Sequence, residues 1–161
     1  MSDRKTLKPY TPTEIAFARP VIRAMSALNT WVYKLSGGRV GGRFLRGAPI
    51  LLLTTRGRKS GQPRTTPLLY LADGSRVVVV GSQGGMPSHP LWYRNLVANP
   101  DVEVQTGRER RAMRARTASP DEKRALWPRL TDMYRDFDDY QKRTARDIPV
   151  VILEPRAGGR S

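Results

Sequence analysis

The sequence of 161 residues contains no cysteine and a single histidine, His89. The first absence excludes disulfides, thiolate metal centres and thiol nucleophiles. The second leaves no histidine cluster for a zinc-type site, and no Ser-His-Asp triad or paired-carboxylate motif stands out in its place. Long apolar runs are also missing, so no transmembrane helix is expected. Residues Met1–Tyr10 are polar and basic and lack the apolar stretch and cleavage site of a secretory leader, which makes the cytoplasm the expected compartment. Acidic residues are scarce: 14 Asp and Glu stand against 29 Lys and Arg, a formal net charge of +15.

Such a charge points to a polyanionic partner: nucleic acid, a membrane surface or a phosphorylated cofactor. Its distribution is uneven. Met1–Arg46 carries nine cations against two acids, Gly47–Tyr70 four against none, and Arg108–Arg116 five against one. The last part of the chain is nearly balanced and reads as an ordinary solvated surface.

The length suits one domain with a real core. Thr13–Leu35 reads as a helix, with Ile22, Met25, Leu28, Trp31, Val32 and Leu35 at helical spacing and Arg19, Arg23 and Lys34 elsewhere. Gly37–Gly42 is a connector, so residues 1–42 form a basic amphipathic arm ahead of a domain at 43–155. The domain is rich in strands: Ile50–Thr55, Thr65–Leu71, Arg76–Ser82, Val102–Thr106, Arg110–Thr117 and Ile148–Leu153. Asp73-Gly74 marks a hairpin turn. Pro90–Ala98 reads as a short helix. Ser119-Pro120-Asp121-Glu122 is a capping-box start for a helix to about Trp127, followed by another near Thr131–Arg143. About six strands with a few helices imply a small antiparallel barrel with helical additions, a β-rich α+β fold. The tail, 156–161, reads as disordered.

Four segments could carry chemistry. Arg56–Arg64 sets Arg58, Lys59, Ser60 and Arg64 in a glycine-bounded loop between strands, a pattern that can hold phosphate or serve merely as a soluble hairpin. Val80-Gly81-Ser82-Gln83-Gly84-Gly85 ends a strand in small residues, which lets a planar ligand approach backbone. Leu91-Trp92-Tyr93-Arg94-Asn95 lies on the short helix, where Trp92 suits the core as well as a ligand. Tyr134, Phe137 and Tyr140 recur every three residues, as a core stripe or as the lining of an acceptor pocket.

These segments, in this order, resemble the deazaflavin (F420)-dependent nitroreductase family. The resemblance rests on Pro49-Ile50-Leu51-Leu52-Leu53-Thr54-Thr55-Arg56-Gly57-Arg58-Lys59-Ser60-Gly61-Gln62-Pro63-Arg64, on Pro67-Leu68, on Leu91–Leu96 with Asn99-Pro100, and on Trp127-Pro128, Met133-Tyr134, Asp139-Tyr140-Gln141 and Ile148–Val151. It runs from about Leu35 to Pro155. It implies a split β-barrel like that of the FMN-binding reductases and reduced coenzyme F420 as hydride donor to an electron-poor acceptor such as a quinone, an activated alkene or a nitro compound. By the same analogy Arg58, Lys59, Ser60 and Arg64 hold the cofactor's phosphate and anionic tail. Thr65, Thr66, Pro67, Leu68 and Leu69 border the deazaflavin, with Val80, Gly81, Ser82 and Gln83 on its other side. Leu91, Trp92, Tyr93, Arg94 and Asn95 close the site, and Phe137 reaches it. Ser82, Tyr134 and Tyr140 are the candidates to polarise or protonate the acceptor. The chain departs from the nitroimidazole-activating branch at Gln83, where that branch has lysine, and at Leu69 and Phe137, where it has tyrosine. Rival readings are an FMN-dependent reductase of the same fold, a non-catalytic cofactor carrier and a basic nucleic-acid-binding protein. The expected partners are a small-molecule acceptor and no nucleic acid, with peripheral membrane contact through the arm open, in a monomer or weak homodimer.

Overall fold

The computed structural model describes residues 8–36 and 48–156. Helix α1 (Pro12–Ser36) precedes strands β1 (Ile50–Arg56), β2 (Pro63–Leu69), β3 (Leu71–Asp73) and β4 (Arg76–Val80). A 3-10 turn at Gln83–Gly85 and helix α2 (Leu91–Ala98) follow. Then come β5 (Asp101–Thr106), β6 (Glu109–Thr117), α3 (Pro120–Met133), α4 (Asp136–Arg143) and β7 (Val150–Pro155). The strands make one sheet in the order β2-β1-β5-β6-β7-β4-β3, and the neighbours pair antiparallel.

Strands β2 and β3 stand at opposite edges of this sheet, yet only Tyr70 separates them in sequence. Neighbouring strands lie about 4.8 Å apart, so one residue cannot cross a flat sheet of this width. The sheet must curl until its edges approach, which makes a split β-barrel. The expected strand Thr65–Leu71 therefore divides in two, giving seven strands where the pattern suggested about six. Tyr70 donates its N–H to the carbonyl of Pro49, at the foot of β1, and Leu71 begins a new pairing opposite Val78.

The unbroken apolar run of β1 is explained by burial on both faces. Leu51 and Leu53 point inward with Val77, Val79, Val104, Met113, Val151 and Leu153, while Ile50 and Leu52 face outward onto Tyr33 of α1. Alternation on β4 sends Val78 and Val80 outward against Leu126 and Leu130 of α3 and against Tyr134 and Phe137. Helix α2 closes the inner core with Trp92 and Leu96. Each such side chain stabilises the fold by about 1.5–3 kcal/mol relative to exposure.

Several local expectations shift. Of the apolar stripe assigned to α1, Ile22, Leu28 and Trp31 are exposed, whereas Tyr33, outside that stripe, is 1% exposed. Tyr33 also accepts the N–H of Gly107 through its hydroxyl at 2.6 Å. The hairpin turn is centred on Gly74-Ser75, since Asp73 still pairs with Arg76, and Gly74 takes φ +62. The Ser119 capping box forms as expected. Helix α3, however, runs through Pro128 to Met133 and breaks at Tyr134-Arg135. Proline removes only one helical N–H there, and the Thr131 hydroxyl bonds back to the carbonyls of Trp127 and Pro128 at 3.1 Å each. Arg156, placed in a disordered tail, continues the ladder by donating its N–H to Ala112. The connector Gly37–Gly42 and residues 157–161 lie outside the described residues.

Candidate active site

The β1–β2 loop leaves the barrel at Arg56 and returns at Pro63. Its backbone is largely occupied with itself: Gly57 donates to the carbonyl of Gln62 and Gly61 to that of Gly57, both at 2.8 Å. Gln62 donates to the Ser60 hydroxyl at 3.2 Å. The N–H of Arg58 reaches Oδ1 of Asn95 at 3.2 Å, and Nδ2 of Asn95 donates to the buried Thr55 hydroxyl at 3.2 Å. Asn95 is 6% exposed and so ties the loop to α2 from beneath. With these N–H groups engaged, an anion at this loop would be met by side chains rather than by an open backbone nest. Arg58, Lys59 and Arg64 are exposed, and among the described residues none of them takes part in an ion pair. Three unneutralised cations beside a hydroxyl fit a phosphorylated, carboxylate-bearing ligand.

From this loop β2 runs along the split edge. Among the described strands its ladder partner is β1 alone, so its other edge carries no strand, and helix α1 lies close to it. The hydroxyls of Thr54 and Thr65 bond at 2.8 Å, and Leu68 packs on the inner core. Leu69 packs on the outer core, in the cluster that also holds Tyr134 and Phe137, and against Tyr33, Ile50 and Leu52. Across the split, Leu69 at the end of β2 shares the outer core with Val80, the last residue of β4. The ends of β2 and β4 thus lie together.

The turn after β4 is unusual. Gln83, Gly84 and Gly85 take φ of 44, 63 and 80, three consecutive left-handed residues. Arg146, which no sequence motif singles out, lies under it. Its guanidinium donates to the carbonyls of Ser82 (2.7 Å), Met86 (2.8 Å) and Gly81 (3.1 Å) and to Nδ1 of His89 (3.0 Å). Burial lowers the pKa of Arg146. Burial first, then the charges of Arg146 and Arg94, depress His89, which therefore stays neutral with its proton on Nε2. The His89 ring lies 5.0 Å from that of Tyr93, whose hydroxyl bonds Thr117 at 2.9 Å. Arg143 donates to the carbonyl of Gly84 at 3.2 Å and to the Tyr10 hydroxyl, linking the start of the arm to the same turn.

Tyr134 and Tyr140 meet hydroxyl to hydroxyl at 3.2 Å, although one ends α3 and the other lies on α4. Burial raises the pKa of both phenols, so each keeps its proton at neutral pH. Phe137 is 4% exposed and packs edge-on against both rings. Trp92 is likewise a core side chain, whereas Leu91 and Arg94 are exposed. Ser82 is 8% exposed at the base of the turn. Among the described residues no cluster of His, Asp or Glu could hold a metal ion.

A split barrel with a cationic loop at one end of β2 and a pair of protonated phenols in its outer cluster suits a cofactor-dependent oxidoreductase. The sequence profile described as F420H(2)-dependent quinone reductase matches residues 25–155. The chain belongs to the F420H(2)-dependent quinone reductase family, and its cofactor is reduced F420. A Mycobacterium tuberculosis protein provisionally named an F420H(2)-dependent quinone reductase is 51% identical over 118 residues, 73% of this chain and 99% of the relative. A solved structure titled F420-H2 dependent reductase (FDR-A) is 40% identical, with a TM-score of 0.62 over 66% of this chain and 94% of that one. Another, described as a domain-swapped dimer, is 37% identical, with a TM-score of 0.64 over 78% of this chain and 98% of that one.

Proposed function

We propose that the chain reduces a quinone to its quinol with the hydride of F420H2, in the opening between β2 and the turn after β4. The observation that carries this reading is the path of β2. It starts at the unpaired cations Arg58, Lys59 and Arg64 and ends, about 20 Å away at some 3.3 Å per residue, at Leu69, in the outer cluster that holds Tyr134 and Phe137. An elongated cofactor with an anionic tail and a planar head suits that span.

Bound F420H2 supplies a hydride. The residues do the rest. Arg58, Lys59, Ser60 and Arg64 hold the anionic tail. The unpaired edge of Thr65–Leu69 and the Val80–Gln83 backbone flank the planar head, and Leu91, Tyr93 and Arg94 border its mouth. Reduction of a quinone consumes one hydride and one proton. Tyr140, with Tyr134 behind it, delivers that proton to the acceptor oxygen and takes another from solvent, while the Ser82 hydroxyl polarises the same carbonyl. Activated alkenes and nitro compounds accept hydride by the same chemistry and belong in the acceptor screen. The exposed Phe17, Val21, Ile22, Leu28 and Trp31 on α1, among arginines, support peripheral contact of the arm with an anionic membrane. Among the described residues no helix is long and apolar enough to cross one.

The test is oxidation of F420H2 by quinone, enone and nitroarene under anaerobic conditions, beside titrations with F420 and FMN. Quinone turnover with F420 bound far more tightly than FMN is expected. No turnover with any quinone, or equal affinity for FMN, would overturn the proposal.

A further inference from the structure

We infer that Arg146 is a positioning residue for the cofactor, the brace that holds the Gly81–Met86 turn in its left-handed form. This rests on the reading above, in which that turn flanks the planar head of F420. The turn needs a brace. Left-handed backbone is disfavoured for a residue with a side chain, and Gln83 adopts it at φ 44 directly before two left-handed glycines. Within the turn that cost is met by two short backbone bonds, from Gly85 to the carbonyl of Ser82 and from Met86 to that of Gln83, and by the Gln83 amide on the Met86 sulfur at 3.3 Å; from outside, Arg143 adds one bond, to the Gly84 carbonyl. Arg146 gathers the carbonyls on both flanks, Gly81 and Ser82 before the left-handed run and Met86 after it. A rigid planar fork with five donors can reach three carbonyls and an imidazole at once; an ammonium cannot.

The position of these carbonyls matters for the site. An amide whose carbonyl points down into Arg146 turns the next N–H of the turn away from the brace, towards the opening. Fixing the carbonyls of Gly81 and Ser82 thus sets where the amides of Ser82 and Gln83 and the Ser82 hydroxyl stand relative to β2. The same guanidinium clamps His89, whose ring lies tilted against that of Tyr93, so the turn and the start of α2 are held by one group.

The experiment compares Arg146→Lys, Arg146→Ala and Gly84→Ala with the unmodified full-length protein. Gly84 is left-handed, and the nearest atom to an added Cβ is the Tyr10 hydroxyl at 3.6 Å. Alanine there distorts the turn through its backbone while leaving Arg146 in place. F420 dissociation constants are measured well below each variant's melting temperature, with kcat and KM for a quinone. His89 is the only imidazole in the chain, so its proton resonance reads the brace directly, with Arg94 and Asp147 as the other charges facing it. Arg146→Lys is expected to fold, to weaken F420 binding about tenfold and to lower kcat, with the alanine variant worse. The His89 titration should move upward in Arg146→Ala. A merely structural arginine would lower the melting temperature and leave the affinity of the folded protein unchanged. Native F420 affinity in Arg146→Lys together with weakened affinity in Gly84→Ala would overturn the inference. Native affinity in both would instead reject the placement of the turn at the cofactor.

Discussion

Replacing Lys59 by alanine removes one of three cations that project from the β1–β2 loop without an acidic partner among the described residues. The loop's shape does not depend on this side chain, because Gly57, Arg58, Gly61 and Gln62 make its internal bonds. A hydrogen bond to a charged group contributes about 1.5–3 kcal/mol, which corresponds to a loss of roughly ten- to hundredfold in F420 affinity. Exposure makes that contribution sensitive to salt, since the screening length falls from about 10 Å at 0.1 M to about 3 Å at 1 M ionic strength. The difference between native protein and variant should therefore shrink at high salt. Stability should move by no more than about 0.5 kcal/mol, as for an ordinary surface substitution. The assay is a fluorescence titration of F420 at two ionic strengths with Lys59→Ala and Arg64→Ala, and melting temperature as the control. A solvated loop with no ligand predicts that affinity responds in neither variant, and that result would refute the phosphate-cradle assignment.

Asn95→Ala strands the buried Thr55 hydroxyl and the Arg58 N–H, so chemical denaturation should show a loss of about 1–3 kcal/mol together with weaker F420 binding; full stability would show that the tie is dispensable. Tyr140→Phe should lower quinone kcat by about a hundredfold with little change in F420 affinity, and the raised phenol pKa values predict no loss of the native rate between pH 7 and about 10. Unchanged turnover in the Tyr134→Phe, Tyr140→Phe double variant would transfer the proton donation elsewhere. His89 titrates below its unfolded value of 6.5, so the unfolded chain binds the extra proton first. Its contribution is complete above pH 6.5 and is lost as pH falls towards the folded pKa, and His89→Gln should flatten that part of a stability-pH curve.

The parts of this molecule written locally in the chain were legible from it. The run Ile50–Leu53 is apolar without alternation because both faces of β1 are covered, and Ser119 with Glu122 forms its cap from side chains three residues apart. The cationic loop was legible for the same reason, since its glycines and charges are contiguous. What could not be read depends on distant partners. Arg146 sits in a nearly neutral stretch and resembles any solvated arginine; its burial follows from β4 ending directly above it, some sixty residues earlier in the chain. Tyr33 misleads in the opposite way. It falls outside the most apolar stripe of α1, and only the narrow outer face of β1 decides that this side of the helix turns inward. Tyr70 conceals a change of sheet edge within what reads as one strand, because periodicity records which face a residue takes and not which neighbour it pairs with.

The arm offers a sharper test of where the working domain begins. We propose that residues 1–42 are dispensable for holding the cofactor, although the arm touches the fold at two places of unequal weight. Near its start, Tyr10 meets Arg143, which also bonds Gly84, and Arg19 donates to the Ser88 hydroxyl at 3.4 Å, but Arg146 holds the same turn independently. Near its end, Tyr33 is buried against Ile50 and Leu52 and accepts the N–H of Gly107. The family match begins at residue 25, between these two contacts. Deleting residues 1–24 removes only the contacts at the start, those of Tyr10 and Arg19, so the melting temperature and the F420 affinity of the truncated protein should stay close to native. Deleting residues 1–38 removes a core aromatic as well, which costs about 3–5 kcal/mol by comparison with large-to-small core substitutions. The second truncation should melt far earlier, yet its folded fraction at low temperature should bind F420 as before. Loss of F420 affinity on deleting residues 1–24, at an unchanged melting temperature, would place the arm inside the cofactor site and refute its independence.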